Sequence, residues 1–115
     1  MMNRREVIKE YKKTIPPMGI VQVRNVKNNR VFLMASANMP GTINSIRFQL
    51  KMGNFLPSPA LAQDWNEMGE QSFVFEVIDE LKPVDDLAHD YQDDLKALET
   101  MWLEKLKPFG EQGYH

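Results

Sequence analysis

Met18-Gly-Ile-Val-Gln-Val-Arg-Asn25, Lys27-Asn28-Asn29 and Arg30-Val-Phe-Leu-Met-Ala-Ser-Ala37 together decide the fold. Two strand-length runs rich in branched and apolar residues flank a short polar turn. Asparagine tolerates left-handed backbone, so this turn predicts a tight antiparallel hairpin.

The rest of the chain is arranged around that hairpin. Upstream, residues 3–14 predict a helix with Asn3 as N-cap and a short apolar stripe of Val7, Ile8 and Tyr11. Pro16-Pro17 end it, because proline lacks the N–H and restricts the residue before it. Downstream, Met39, Ile43, Ile46 and Leu50 fall on one face of a helix spanning 40–52, with Asn44, Arg47 and Lys51 on the other, and Gly53 stops it. Leu61 and Trp65 mark a shorter helix over 59–68, closed by Gly69. Residues 72–79 are apolar on both faces apart from Glu76, which predicts a central third strand. Residues 84–106 predict the longest helix, with Leu87, Tyr91, Leu95, Leu98, Trp102 and Leu106 as its buried stripe. Trp65 and Trp102 read as core anchors, the lone His89 as a surface residue, and the segment after Lys107 as irregular. The fold class is therefore α+β: a three-stranded, mainly antiparallel sheet packed with helices. Residues 1–17 form a helical extension and residues 18–115 one compact domain.

A chain of 115 residues is expected to bury roughly two-thirds of its unfolded surface, enough for a core without crosslinks. It has no cysteine, which excludes disulfides and Cys-based zinc sites and suits a reducing compartment. Met1–Val7 lack the apolar stretch of a secretory leader, and no apolar run approaches the roughly 20 residues of a membrane span. A cytoplasmic location is the expectation. The net charge of −2 hides an asymmetry: residues 1–55 sum to +8 and residues 56–115 to −10. Either the first half offers a basic binding face, or the halves pack together and neutralise each other.

Three segments together resemble the GIY-YIG nuclease family. Gly19-Ile20-Val21 and Val31-Phe32-Leu33-Met34 stand where that family has its two name-giving triplets. Trp65, Gly69, Phe73 and Phe75 match its "W-x-x-x-G-x-x-x-F-x-F" stretch. Leu98-Glu99, Trp102-Leu103, Leu106 and Gly113-Tyr114 match its "L-E-x-x-W-I-x-x-L … G-Y-N" ending. The match spans residues 19–114.

The resemblance implies metal-assisted phosphodiester hydrolysis, in which a glutamate holds one divalent metal, tyrosines position the attacking water and an arginine neutralises the phosphate. The two tyrosines fall on Val21 and Phe32, and the second triplet's glycine on Met34. The arginine falls near Thr42, the histidine or tyrosine after it near Ile46, and the terminal asparagine near His115. Only the metal glutamate is matched, by Glu99. Arg47 is about 500° around the helix from Thr42 and cannot stand in for the arginine. Glu99 also lies between Leu95 and Leu103, beside the buried stripe, where a boundary carboxylate is the plain structural reading.

The expectation is a catalytically impaired relative, a pseudoenzyme needing no cofactor. Three functions stay open: a nucleic-acid-binding module using Arg24, Lys27, Arg30, Arg47 and Lys51; a protein-interaction or regulatory scaffold on the same fold; and a divergent endonuclease that would need Mg²⁺ at Glu99. No membrane partner is expected.

Overall fold

The computed structural model describes residues 3–115; Met1 and Met2, at the head of the expected helical extension, lie outside the described residues. Asn3 caps the first helix, α1 (Arg4–Thr14), its Oδ1 accepting the Glu6 N–H at 2.9 Å. The chain then enters the hairpin. β1 (Met18–Asn25) and β2 (Val31–Ser36) pair antiparallel, with Val21 opposite Met34 and Val23 opposite Phe32. The turn closes with Asn29 at φ 62°, the left-handed geometry expected of asparagine. Pro40 and the Asn38 side chain, which accepts the Gly41 N–H, start α2 (Met39–Lys51). Ser58 caps α3 (Pro59–Met68) in the same way, its Oγ accepting the Leu61 N–H. β3 (Phe73–Leu81) follows, and then α4 (Gln92–Leu106).

The structure is α+β with a three-stranded antiparallel sheet in the order β2-β1-β3. The hairpin strand β1 is central, and the third strand, expected to be central, lies at an edge. Its two apolar faces reflect helices above and below the sheet, and a residue pattern that reports covered faces carries no information about edges. Phe73 and Phe75 lie under Trp65, at ring separations of 5.2 and 6.2 Å, while α4 packs on β2 and β1. Gly19 makes the end of β1 possible: at φ 157° an added Cβ would meet the Asp79 carbonyl oxygen at 2.1 Å, beside the bulge between Ile20 and Val21.

The longest helix is shorter than its periodicity predicts. It begins at Gln92 rather than at residue 84, because Asp86 and Asp90 accept the backbone N–H groups of Ala88 and Gln92 and so offer the chain a local alternative to helix. Leu87 is left exposed in the loop, and Leu106 is exposed at the far end, where Lys107 turns left-handed. Leu95 alone of the expected stripe is fully buried. Trp102 is half-buried, its indole N–H bonded to Asp79 at 2.8 Å. α1 buries none of its residues. The radius of gyration is 16.6 Å, against about 13 Å for a compact domain of similar length.

Candidate active site

Side chains alternate along a strand, so the β1–β2 register puts Val21, Val23, Phe32 and Met34 on one face of the sheet. α2 covers that face with Met39, Ile46 and Leu50. All but Met34 fall in one buried cluster with Phe55, Leu61, Trp65, Phe73 and Tyr114, and Met34 packs against it. The positions matching the family's two tyrosines and its helix histidine or tyrosine are therefore interior ones: Val21 is 1 %, Phe32 4 % and Ile46 2 % exposed. Phe32 meets the Phe55 ring edge-on at 5.2 Å and stacks flat on the His115 ring at 4.7 Å. Thr42, at the arginine position, shares a hydrogen bond with the Ser36 hydroxyl and so ties the start of α2 to the end of β2.

Glu99 projects from α4 to the outer edge of β2, where its Oε2 accepts the Ala35 N–H at 2.8 Å. Beside it, Nε2 of His115 accepts the Leu33 N–H at 2.9 Å, and the Tyr114 N–H donates to the Val31 carbonyl at 3.0 Å. Val31, Leu33 and Ala35 alternate with the residues bonded to β1, so these are the outward-facing groups of the strand. The three contacts seal that edge. The His115 bond needs a neutral ring, and burial pushes the imidazole below its usual value despite the opposing charge of Glu99.

Mg²⁺ demands near-octahedral oxygen ligands and retains several waters. Here it would find one carboxylate, with one oxygen already bonded to Ala35, beside the stacked rings of Phe32 and His115. Among the described residues no three His, Asp or Glu side chains gather as a metal-binding group. A hydrated Mg²⁺ ion would have only the second Glu99 oxygen to bind here.

The five basic residues of the expected binding face do not converge. Arg24 lies on the α4 face of the sheet, its Nε 2.8 Å from Glu76, whose carboxyl it holds below the usual range. Arg47 lies on the opposite face, over the Phe75 ring at 4.6 Å. Lys51 pairs with Glu70 and Arg30 with Asp64. Lys27 is exposed in the hairpin turn. Lys12–Asp85 adds one more ion pair, and all four of these pairs join the basic half of the chain to the acidic half.

Arg30 takes part in an arrangement that sequence reasoning missed. It stacks on the Tyr114 ring at 4.5 Å and donates to the Gly113 carbonyl at 2.9 Å. The Tyr114 hydroxyl donates to Asp64 at 2.7 Å and accepts from the fully buried Asn25 at 3.1 Å. Burial pushes the phenol up to about 12, so it remains a donor throughout the neutral range. The segment closes tightly: a Cβ on Gly113 would meet the Pro108 carbonyl oxygen at 2.2 Å. Asn25 at the end of β1 and Tyr114 in the Gly113-Tyr114 motif were each visible in the sequence, and nothing local paired them.

No family model matches this chain, and neither does any curated protein. Solved structures do. The catalytic domain of homing endonuclease I-TevI superposes with a TM-score of 0.70 and 22 % identity, covering 84 % of this chain and 95 % of that one. A mutant catalytic domain of intron endonuclease I-TevI gives a TM-score of 0.70 and 21 % identity, covering 86 % of this chain and 92 % of that one. The chain thus has, over most of its length, the GIY-YIG-like fold of an endonuclease catalytic domain.

Proposed function

We propose that this is a catalytically impaired GIY-YIG-like domain that acts by binding rather than by cleaving. One observation carries the reading: Val21, Phe32 and Ile46, which the resemblance aligns with family catalytic positions, are members of a closed apolar core. A missing acid–base group costs about 10²–10⁴-fold in rate, and a missing phosphate-neutralising arginine about 10³–10⁵-fold. Such losses do not multiply, but either alone leaves a poor enzyme. Glu99 is the single retained side chain, and here its carboxylate serves the edge of β2. Purified protein with plasmid, single-stranded DNA or RNA in Mg²⁺ or Mn²⁺ should leave every substrate intact. Metal-dependent cutting that disappears in Glu99→Ala would overturn this and restore the divergent-nuclease reading.

Two partner classes follow from different observations. The nucleic-acid reading is supported by the fold shared with one endonuclease catalytic domain, seen in two structures. Within the expected basic set it now rests on Lys27 and Arg47, since Arg24, Arg30 and Lys51 are paired with carboxylates. The protein-interaction reading is supported by that same pairing, which cancels much of the basic half's charge. Salt dependence separates them. Two phosphate contacts give a slope of about −1.8 in log K against log salt on duplex DNA, and Lys27→Glu with Arg47→Glu should abolish it. Absence of binding at low salt favours the interaction scaffold. A chain without cysteine also suits a cytoplasmic setting.

A further inference from the structure

Because β1 lies between β2 and β3, the sheet has two outer edges, and they are finished differently. The outward groups of β2 are occupied by Tyr114, His115 and Glu99. On β3, the Val26 N–H bonds to the Ser72 carbonyl at 2.8 Å, which sets the alternation: Val74 and Glu76 face β1 opposite Arg24 and Gln22. The backbone N–H and C=O groups of Phe75 and Val77 therefore point away from the sheet. Among the described residues no strand pairs with them and no backbone group bonds to them. The Val77 side chain is 53 % exposed.

An open strand edge is a template for another strand. Charge decides which kind. Between residues 76 and 86 the chain carries Glu76, Asp79, Glu80, Asp85 and Asp86 against Lys82 alone. Arg24 offsets Glu76, and Arg47 stands over Phe75 from the α2 side, but Glu80 is exposed. A second copy of β3 would set this acidic run against itself, and like charges across strands are destabilising.

We infer that the outer edge of β3 docks an extended segment of another protein in which basic residues alternate with apolar ones, adding a fourth strand to the sheet. Its main chain bonds to Phe75 and Val77, its apolar side chains lie beside those two residues, and its cations, on the other face of the added strand, meet Glu76 within the field of the acidic run that follows it. This site is independent of whether the domain cleaves or binds nucleic acid.

The test uses the intact chain and a blocked peptide of alternating Lys and Val, long enough to span β3. A Glu–Val peptide of equal length is the control. With the Lys–Val peptide, amide exchange at Phe75 and Val77 should slow by about tenfold or more, and the affinity should fall with salt. The control should protect neither amide. Val77→Pro removes an outward N–H without breaking the β1 ladder, since proline is tolerated where an edge strand faces solvent, and it should abolish binding. Glu80→Lys keeps every N–H and should weaken binding, so the test survives a poorly folding proline variant. The inference is overturned if the Lys–Val peptide leaves exchange unchanged or if both peptides protect equally. It is likewise overturned if folded Val77→Pro binds as well as the parent, or if the edge is shielded by association between copies.

Discussion

Tyr114→Phe would remove one oxygen and unpair two groups. Asn25 loses the acceptor for one of its amide hydrogens, and Asp64 keeps only the longer 3.3 Å contact from Arg30. Leaving a buried polar group unsatisfied costs about 1–3 kcal/mol, so the urea midpoint should drop by that equivalent with the slope unchanged. An unchanged midpoint would mean water replaces the hydroxyl without penalty. His115 gives a second outcome at this scale. Its folded pKa is depressed, so as pH falls the unfolded chain takes up the proton first. The contribution is complete above the ordinary histidine value of about 6.5 and is lost as pH drops towards the lower folded value. His89 runs the other way: its bond to Asp94 raises its pKa, so its contribution is present at acid pH and lost as pH rises through the raised value. Stability measured from neutral to mildly acid pH in a His89→Asn background should fall, and His115→Gln in that background should flatten the fall. A slope that His115→Gln leaves untouched would refute the assignment. The GIY-YIG-like fold was legible because its segments carry motifs in a recognisable order. The Asn25–Tyr114–Asp64–Arg30 arrangement was not, because its hydrogen-bonded pairs are 34 to 89 residues apart and no local pattern links them.

At the scale of elements, what the sequence showed well was local: the hairpin with its asparagine turn, the proline-started and side-chain-capped helices, and the apolar face of α2. It showed less where two local tendencies compete, as in residues 84–91, whose leucine spacing says helix while Asp86 and Asp90 capture backbone N–H groups. It showed nothing of strand order, because periodicity reports faces. The sealed edge of β2 yields a prediction here. Glu99→Ala takes the acceptor from the Ala35 N–H, a charge-assisted bond worth about 1.5–3 kcal/mol. Amide exchange should therefore accelerate at Ala35 while Val23, on the central strand, changes only with global stability. Equal acceleration at both positions would show that Glu99 supports the fold as a whole and is not a local cap.

For the molecule as a whole, the charge asymmetry resolves into ion pairs between halves. Most are exposed, and exposed pairs contribute about 0–1 kcal/mol each, so they cancel surface potential more than they hold the fold. The closed apolar core around Val21, Phe32 and Ile46 makes its own prediction. Melting scans in millimolar Mg²⁺ or Mn²⁺ should superimpose on scans in EDTA, whereas a folded-state ligand at about 100 times its Kd would add about 2.7 kcal/mol. A metal-dependent rise in Tm that vanishes in Glu99→Gln would show a working metal site. The long reach of the Asn25–Tyr114 bond, 89 residues in sequence, bears on how the protein is made. β1 is synthesised before the groups that complete it: its partner β3 comes some fifty residues later, and the group that satisfies Asn25 comes 89 residues later. At about 5–20 residues per second, a nascent hairpin waits several seconds with the β3-facing edge of β1 unpaired. The length of that wait is set by how far apart in sequence the paired strands lie, and not by the size of the domain.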